Sequence, residues 1–331
     1  MSQISPPKPP NSPQDASKQN IVQRYAPWLY AFWKFSRPHT IIGTSLSVLG
    51  IWAIALATSP GSIVEGVNAG APQPIYSLLF AWFTCLCGNI YIVGLNQMQD
   101  VAIDRVNKPH LPIASGEFSR KTGWGIVITT GLIALLLSPL QGLFLTITVW
   151  SSVLIGTAYS LPPIRLKRFP FWASVCIFTV RGVIVNLGLF LHFSQQFGSR
   201  TTIPAPVWGL TLFILGFTFA IAIFKDIPDL EGDRRYNITT FTIRLGQTAV
   251  FNLARWVITA CYVGMLIAGL MLPSIHALFL VLSHGLALAA FWFYSTQVDL
   301  RQKQEITDFY QLIWKLFFLE YLIFPIACLL A

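Results

Sequence analysis

Long runs without a formal charge constrain this chain more than any other feature. No Asp, Glu, Lys or Arg occurs between Arg37 and Glu65, Glu65 and Asp100, Lys121 and Arg165, Arg181 and Arg200, Arg200 and Lys225, or Arg255 and Asp299. A helix crossing the hydrocarbon layer needs roughly 20 apolar residues, so several gaps hold one spanning helix and the two longest hold two. Pro-containing turns, "SPLQG" at 138–142 and "MLPS" at 271–274, break the two longest. Charged residues make up 11% of the 331, against roughly 25% in a soluble domain. The expectation is an all-α membrane protein with about nine transmembrane helices, at 39–57, 76–97, 122–138, 142–159, 171–191, 207–225, 249–270, 275–294 and 311–330.

Positively charged loops stay on the cytoplasmic side. With the amino terminus inside, Arg105, Lys108, Arg120, Lys121, Arg165, Lys167, Arg168, Lys225, Arg234, Arg235, Arg244, Arg301 and Lys303 all fall in inside segments, while the outside loops hold only Arg200. The net charge of +9 is then explained by topology and contact with membrane lipid; nucleic-acid binding is not indicated. Residues 1–25 are rich in Pro, Ser and Gln, lack an apolar core, and read as a disordered cytoplasmic tail rather than a signal peptide. Residues 26–331 form the transmembrane domain. The five cysteines, Cys85, Cys87, Cys176, Cys261 and Cys328, all lie in apolar helices without histidines at metal spacing, which favours packing over disulfides or zinc.

One apolar run ends in carboxylates. In "NQMQDVAIDRVNKPHLPIASGE", Asn96, Asp100 and Asp104 recur at steps of four, which on a helix places them along one face over about 12 Å of rise. A single acid near a membrane surface reads most simply as a solvated helix end, here paired with Arg105 or Lys108. A second stripe weakens that reading: in "FKDIPDLEGDRRYN", Asp226, Asp229 and Asp233 follow helix six at i, i+3 and i+7, on the same side of the membrane. Carboxylates and an amide carbonyl are hard oxygen donors, the ligand set of Mg²⁺ shared with substrate phosphates. Lys108, Lys167, Lys225, Arg234 and Arg235 supply cations for phosphate oxygens. A diphosphate at the mouth of an apolar bundle implies a hydrocarbon tail among the helices, that is, a prenyl diphosphate.

The two acidic segments, with "TAYSLPPIRLKR" at 157–168 between them, resemble the signatures of the UbiA superfamily of intramembrane prenyltransferases. The likeness extends from "FWKFSRPHTIIGTSLSV" through "TVRGVIVNLGLF" to "FYQLIWKLFFLEYL". It implies nine helices around a lipid-facing cavity. It also implies Asn96, Asp100 and Asp104 as the first metal and diphosphate motif and Asp229 and Asp233 as the second, with Asp226 an additional acid. Tyr159 and Lys167 match the Tyr and Lys of the loop over the diphosphate. Gln97 stands where many members carry Asp, and with "NKPHLPIASGE" it points to the homogentisate branch.

Arg181 interrupts helix five, and an intramembrane Arg normally faces a cavity or a partner. The expected role of Arg181, with Asn186, is to contact the aromatic acceptor, against an even alternative of a purely structural pairing. Arg37 and His39 open helix one in "SRPHT"; interfacial snorkelling competes with a place at the cavity mouth near the acceptor, which the likeness favours. His192, His276 and His284 read as packing or interfacial.

The implied activity is Mg²⁺-dependent transfer of a phytyl group from phytyl diphosphate to homogentisate with decarboxylation, giving 2-methyl-6-phytyl-1,4-benzoquinol, a tocopherol intermediate. Loss of CO₂ lessens the need for a dedicated base, and no base is evident. The implied location is the thylakoid or plasma membrane of a cyanobacterium, with the amino terminus and site loops cytoplasmic. Competing readings are a geranylgeranyl or solanesyl donor, a different acceptor as in chlorophyll synthase, and a cation transporter. A transport path should carry polar groups near mid-membrane, whereas the two stripes gather at one surface.

Overall fold

The computed structural model describes residues 25–59, 74–199, 202–228, 230, 240–272 and 274–331. Among these residues there is no strand, and nine helices are long and apolar enough to cross a membrane. They are α1 (Pro38–Thr58), α2 (Pro74–Gln99), α3 (Arg120–Leu137), α4 (Leu143–Ser160), α5 (Phe171–Gln196), α6 (Ala205–Phe224), α7 (Gln247–Met271), α8 (Ala277–Ser295) and α9 (Lys303–Leu329). All nine expected helices are present, and the chain is a multi-pass integral membrane protein. The expected tail at 1–25 lies outside the described residues, except for Tyr25.

Local chemistry sets the helix ends. Pro38 and Pro74 open α1 and α2, where proline's missing N–H costs nothing. Ser119 caps α3 by accepting from the Thr122 N–H at 3.0 Å. His276 caps α8, its Nδ1 accepting from the Phe279 N–H at 3.3 Å. Between α3 and α4 the "SPLQG" break is a single 3₁₀ turn, Ser138–Gln141, followed by Gly142 at φ +105°. No other residue reaches that backbone region at so little cost.

In lipid, burying apolar side chains gains little over leaving them in hydrocarbon, so helices associate through close packing and polar bonds. Leu136, Leu154, Leu212, Leu270 and Leu286 accordingly face outwards. The most enclosed helix is α6, whose Phe213, Phe217 and Phe224 meet Tyr262 of α7 and Phe309 and Phe317 of α9.

Two segments were longer or less regular than expected. The ninth helix begins at Lys303 rather than 311, because Glu305, Asp308 and Gln304 continue the helix out of the apolar layer. The fifth runs to Gln196 and contains a π-helical turn, Thr179–Ile184, centred on Arg181 and Gly182. Such turns are rare and concentrate at functional sites.

Short helices cluster at one end of the bundle: Pro27–Phe35 before α1, Val101–Asn107 and Pro112–Ser115 after α2, and Phe241–Leu245 before α7. Pro27–Phe35 buries Ala31 and Phe35 and leaves Trp28, Leu29 and Trp33 exposed, the pattern of a helix lying in the membrane interface. An ion pair from Lys34 to Glu117 ties it to the segment after Pro112–Ser115.

Candidate functional site

The first acidic stripe does not lie on one continuous helix. Helix α2 stops at Gln99, Asp100 leaves helical geometry (φ −107°, ψ 15°), and Val101–Asn107 begins anew. The i to i−4 backbone bonds nonetheless run through the break, from Asp100 N to Asn96 O (3.1 Å) and from Asp104 N to Asp100 O (2.8 Å). The three side chains therefore stay on one face, as their spacing required.

Asp100 is held by two cations of the loop after α4. Arg165 Nη2 donates to its Oδ1 at 3.0 Å and Lys167 Nζ to its Oδ2 at 2.6 Å. Asp104 is 6% exposed and its Oδ2 has no hydrogen-bond partner. Burial pushes its carboxyl above the usual carboxylate range, against the pull of Arg37, Lys108 and Lys167. Burial likewise lowers the Lys167 ammonium, opposed by Asp100. Arg37 Nη2 donates to Asn96 Oδ1 at 3.3 Å, while the Nε of both Arg37 and Arg165 lack acceptors.

Backbone strain accompanies these contacts. Arg37 (φ 52°) and Arg165 (φ 39°) are the non-glycine residues with positive φ among those described, an arrangement that persists only where the surroundings impose it. Arg37, Lys108, Arg165 and Lys167 face the carboxylates of Asp100 and Asp104. More cations than carboxylates, with donors unused, suit an anion carrying several oxygens. A buried carboxylate oxygen without a partner suits a metal ion, because such an oxygen is costly unless paired. The donor set of Asn96, Asp100 and Asp104 thus fits Mg²⁺.

Tyr159 is half-buried near the end of α4, beside that loop. Lys225 and Asp226 form the turn after α6, at the same end as Asp100 because the chain makes four crossings, α3 to α6, between the end of α2 and the end of α6. Asp229, Asp233 and Arg234 lie outside the described residues. Among the described residues no three His, Cys, Asp or Glu side chains form a metal-holding group.

A second cluster adjoins the first inside the membrane. The Arg181 guanidinium lies over the rings of Trp314 (5.2 Å) and Phe317 (5.5 Å) of α9. The His39 ring meets Trp314 edge-on at 5.3 Å, and Arg37, Arg181 and Lys108 all lie within electrostatic reach of His39. Asn186 is fully buried, its Oδ1 accepting from the Tyr321 hydroxyl at 2.8 Å and its Nδ2 donating to the Gly182 carbonyl at 2.8 Å. Arg37, His39, Arg181 and Asn186 thus belong to one connected region that begins at the acidic stripe.

Gln97 points elsewhere. Its Nε2 donates to the Phe35 carbonyl at 2.6 Å, anchoring the interfacial helix Pro27–Phe35 to α2 in place of an acid. The sequence reading missed Arg165 as a partner of Asp100 and the pairing of His284 with Glu320. The signal for the second was present, because a glutamate inside an apolar span needs a partner.

The sequence pattern of the UbiA prenyltransferase family matches residues 60–319. The chain belongs to this family. Over 300 residues it is 52% identical to homogentisate phytyltransferase of Synechocystis sp., covering 90% of this chain and 96% of that one. It is 41% identical to homogentisate phytyltransferase 1, chloroplastic, of Arabidopsis thaliana, over 90% of this chain and 75% of that one. Its fold is that of a UbiA homolog from Archaeoglobus fulgidus bound to GPP and Mg²⁺, with TM-score 0.60 at 14% identity over 91% of this chain and 100% of that one. The nine spanning helices among the described residues are therefore a UbiA architecture.

Proposed function

We propose that this UbiA-family chain transfers the phytyl group of phytyl diphosphate to homogentisate with loss of diphosphate and CO₂, giving 2-methyl-6-phytyl-1,4-benzoquinol, in the thylakoid or plasma membrane of a cyanobacterium. The observation that carries this reading is 52% identity to a homogentisate phytyltransferase across 96% of that protein's length. The site geometry supports it independently.

Asn96, Asp100 and Asp104, with Asp226, Asp229 and Asp233, would hold Mg²⁺. When bound, the metal would neutralise charge on the departing diphosphate. Lys167 and Arg165, which grip Asp100, are placed to turn to diphosphate oxygens, joined by Lys108, Tyr159, Lys225 and Arg234. The allylic C–O bond breaks with its electron pair passing to the diphosphate. A ring carbon of homogentisate supplies the pair for the new C–C bond. The ring proton displaced by the phytyl group balances the proton that the benzylic carbon takes up as CO₂ leaves, so the reaction needs no net base.

Arg181 and His39, with Arg37, form the cationic and aromatic end of the region that would receive the acceptor. The amino terminus and the site loops face the cytoplasm, in keeping with the distribution of Lys and Arg. The test incubates purified protein in lipid with Mg²⁺ and homogentisate, offers phytyl and geranylgeranyl diphosphate separately and together, and identifies products by mass. A predominating phytyl product is expected. A predominating geranylgeranyl product would replace the donor, and no product from folded protein would overturn the acceptor.

A further inference from the structure

The bundle contains an ionisable pair that this chemistry does not use. His284 of α8 and Glu320 of α9 meet with Nε2 and Oε2 3.0 Å apart, at 0% and 2% exposure. His284 Nδ1 lies 2.9 Å from the Leu280 carbonyl, which can only accept, so Nδ1 carries a proton and Nε2 faces the carboxyl. Phe213 and Tyr262 pack edge-on against the imidazole. The pair is too enclosed to line a path for ions or substrate, so it does not revive the transporter reading. Ionisable groups this deep in a membrane are costly to keep.

Their place on α9 gives a reason. The next residue, Tyr321, donates to Asn186 Oδ1 at 2.8 Å, and Asn186 is bonded to Gly182 in the π turn that carries Arg181. Successive helical residues point about 100° apart, so α8 and α5 grip α9 on two faces at one level. Four residues on lies Pro325, inside the helix. Proline has no N–H for the Tyr321 carbonyl and crowds it. Helix α1 makes room there, since a Cβ on Gly50 would stand 2.8 Å from that carbonyl oxygen and 3.2 Å from Pro325 Cγ. The backbone of α9 is thus weakest where its two side-chain bonds hold it. One and two turns earlier on the same helix, Phe317 and Trp314 lie against Arg181.

We propose that His284 and Glu320 are a positioning pair that fixes the rotation of α9 about its axis, and so holds Trp314 and Phe317 against Arg181 at the acceptor end of the site. The pair touches neither substrate. The inference rests on the acceptor reading of the Arg181 region. A bond to α8 specifies rotation in a way that apolar contact among lipid-like side chains does not.

The test compares Glu320→Ala, Glu320→Gln and Asn186→Leu with the parent protein in lipid. Two readouts are the KM of each substrate and the fluorine NMR signal of fluorotryptophan at Trp314, assigned with Trp314→Phe. Glu320→Ala and Asn186→Leu are expected to raise the acceptor KM about tenfold, with donor KM changed by less than about twofold and the Trp314 signal shifted. Glu320→Gln, whose amide can still donate to His284 Nε2, is expected to restore both. An unshifted Trp314 signal, or equal changes in both KM values, would overturn the proposal. If Glu320→Ala does not fold, the double variant His284→Leu/Glu320→Leu, which removes the bond without leaving either group unpaired, decides it by the same two readouts. If the parent protein does not act on homogentisate, the acceptor reading falls, and the Trp314 signal still decides whether the pair sets α9.

Discussion

Lys167 donates to Asp100 at 2.6 Å across the gap between the loop after α4 and the break at the end of α2. One residue is a cation suited to phosphate and the other a carboxylate suited to metal, and each satisfies the other within the folded chain. Lys167→Ala therefore removes a diphosphate contact and also leaves Asp100 with Arg165 alone. Steady-state kinetics should show a fall in kcat/KM for the prenyl donor of about 10²–10³, with acceptor KM little changed. Activity within a few-fold of the parent would remove Lys167 from the site.

Asp100→Ala and Asp229→Ala should each abolish transfer while the protein still inserts and elutes as a folded species, because each removes a proposed metal ligand and not an apolar packing contact. Near-parental turnover in either variant would dismantle the two-stripe arrangement.

The metal reading has its own check. Chelation of divalent ions should stop turnover, and added Mg²⁺ should restore it. Titrating Mg²⁺ against Asp104→Asn should require a higher concentration for half-maximal rate, because the buried Oδ2 that lacks a protein partner is exchanged for an amide of weaker donor power. An unchanged Mg²⁺ requirement would place the metal elsewhere.

Arg181 lies over two aromatic rings. Arg181→Ala should raise acceptor KM about tenfold or more while leaving donor KM near its parental value. Arg181→Lys should recover little, since an ammonium lacks the planar stacking face. Arg181→Ala with both KM values unchanged would leave Arg181 a structural residue.

Gln97 separates structure from chemistry. Gln97→Leu deprives the Phe35 carbonyl of its donor and should destabilise the protein by about 1–3 kcal/mol, seen as a lower melting temperature in detergent. Donor KM should change by less than about threefold. A large rise in donor KM without loss of stability would make Gln97 a ligand after all.

Spanning helices are legible in a sequence because hydrocarbon tolerates few charges and no unpaired backbone, so the charge gaps and the Pro-containing turns inside them placed most of the nine helices, while the fifth and ninth, which carry Arg181 and Glu320, were read from their apolar runs. The spacing of Asn96, Asp100 and Asp104 was legible for a similar local reason, since helical periodicity decides which side chains share a face. The breaks in that periodicity were not. The stop at Asp100 and the π turn at Arg181 coincide with contacts to Arg165, Lys167 and the rings of α9, partners distant in the chain.

The sequence by itself therefore determined the membrane class, the helix count, the acidic stripe and the family resemblance, all carried by composition and short-range spacing. Only the tertiary structure decided that Asp100 is gripped by Arg165 and Lys167, that Gln97 serves an interfacial helix, and that His284 meets Glu320. These are pairings between helices, and inside a bilayer nothing in the local sequence says which apolar face meets which. Packing and a few polar bonds make that choice.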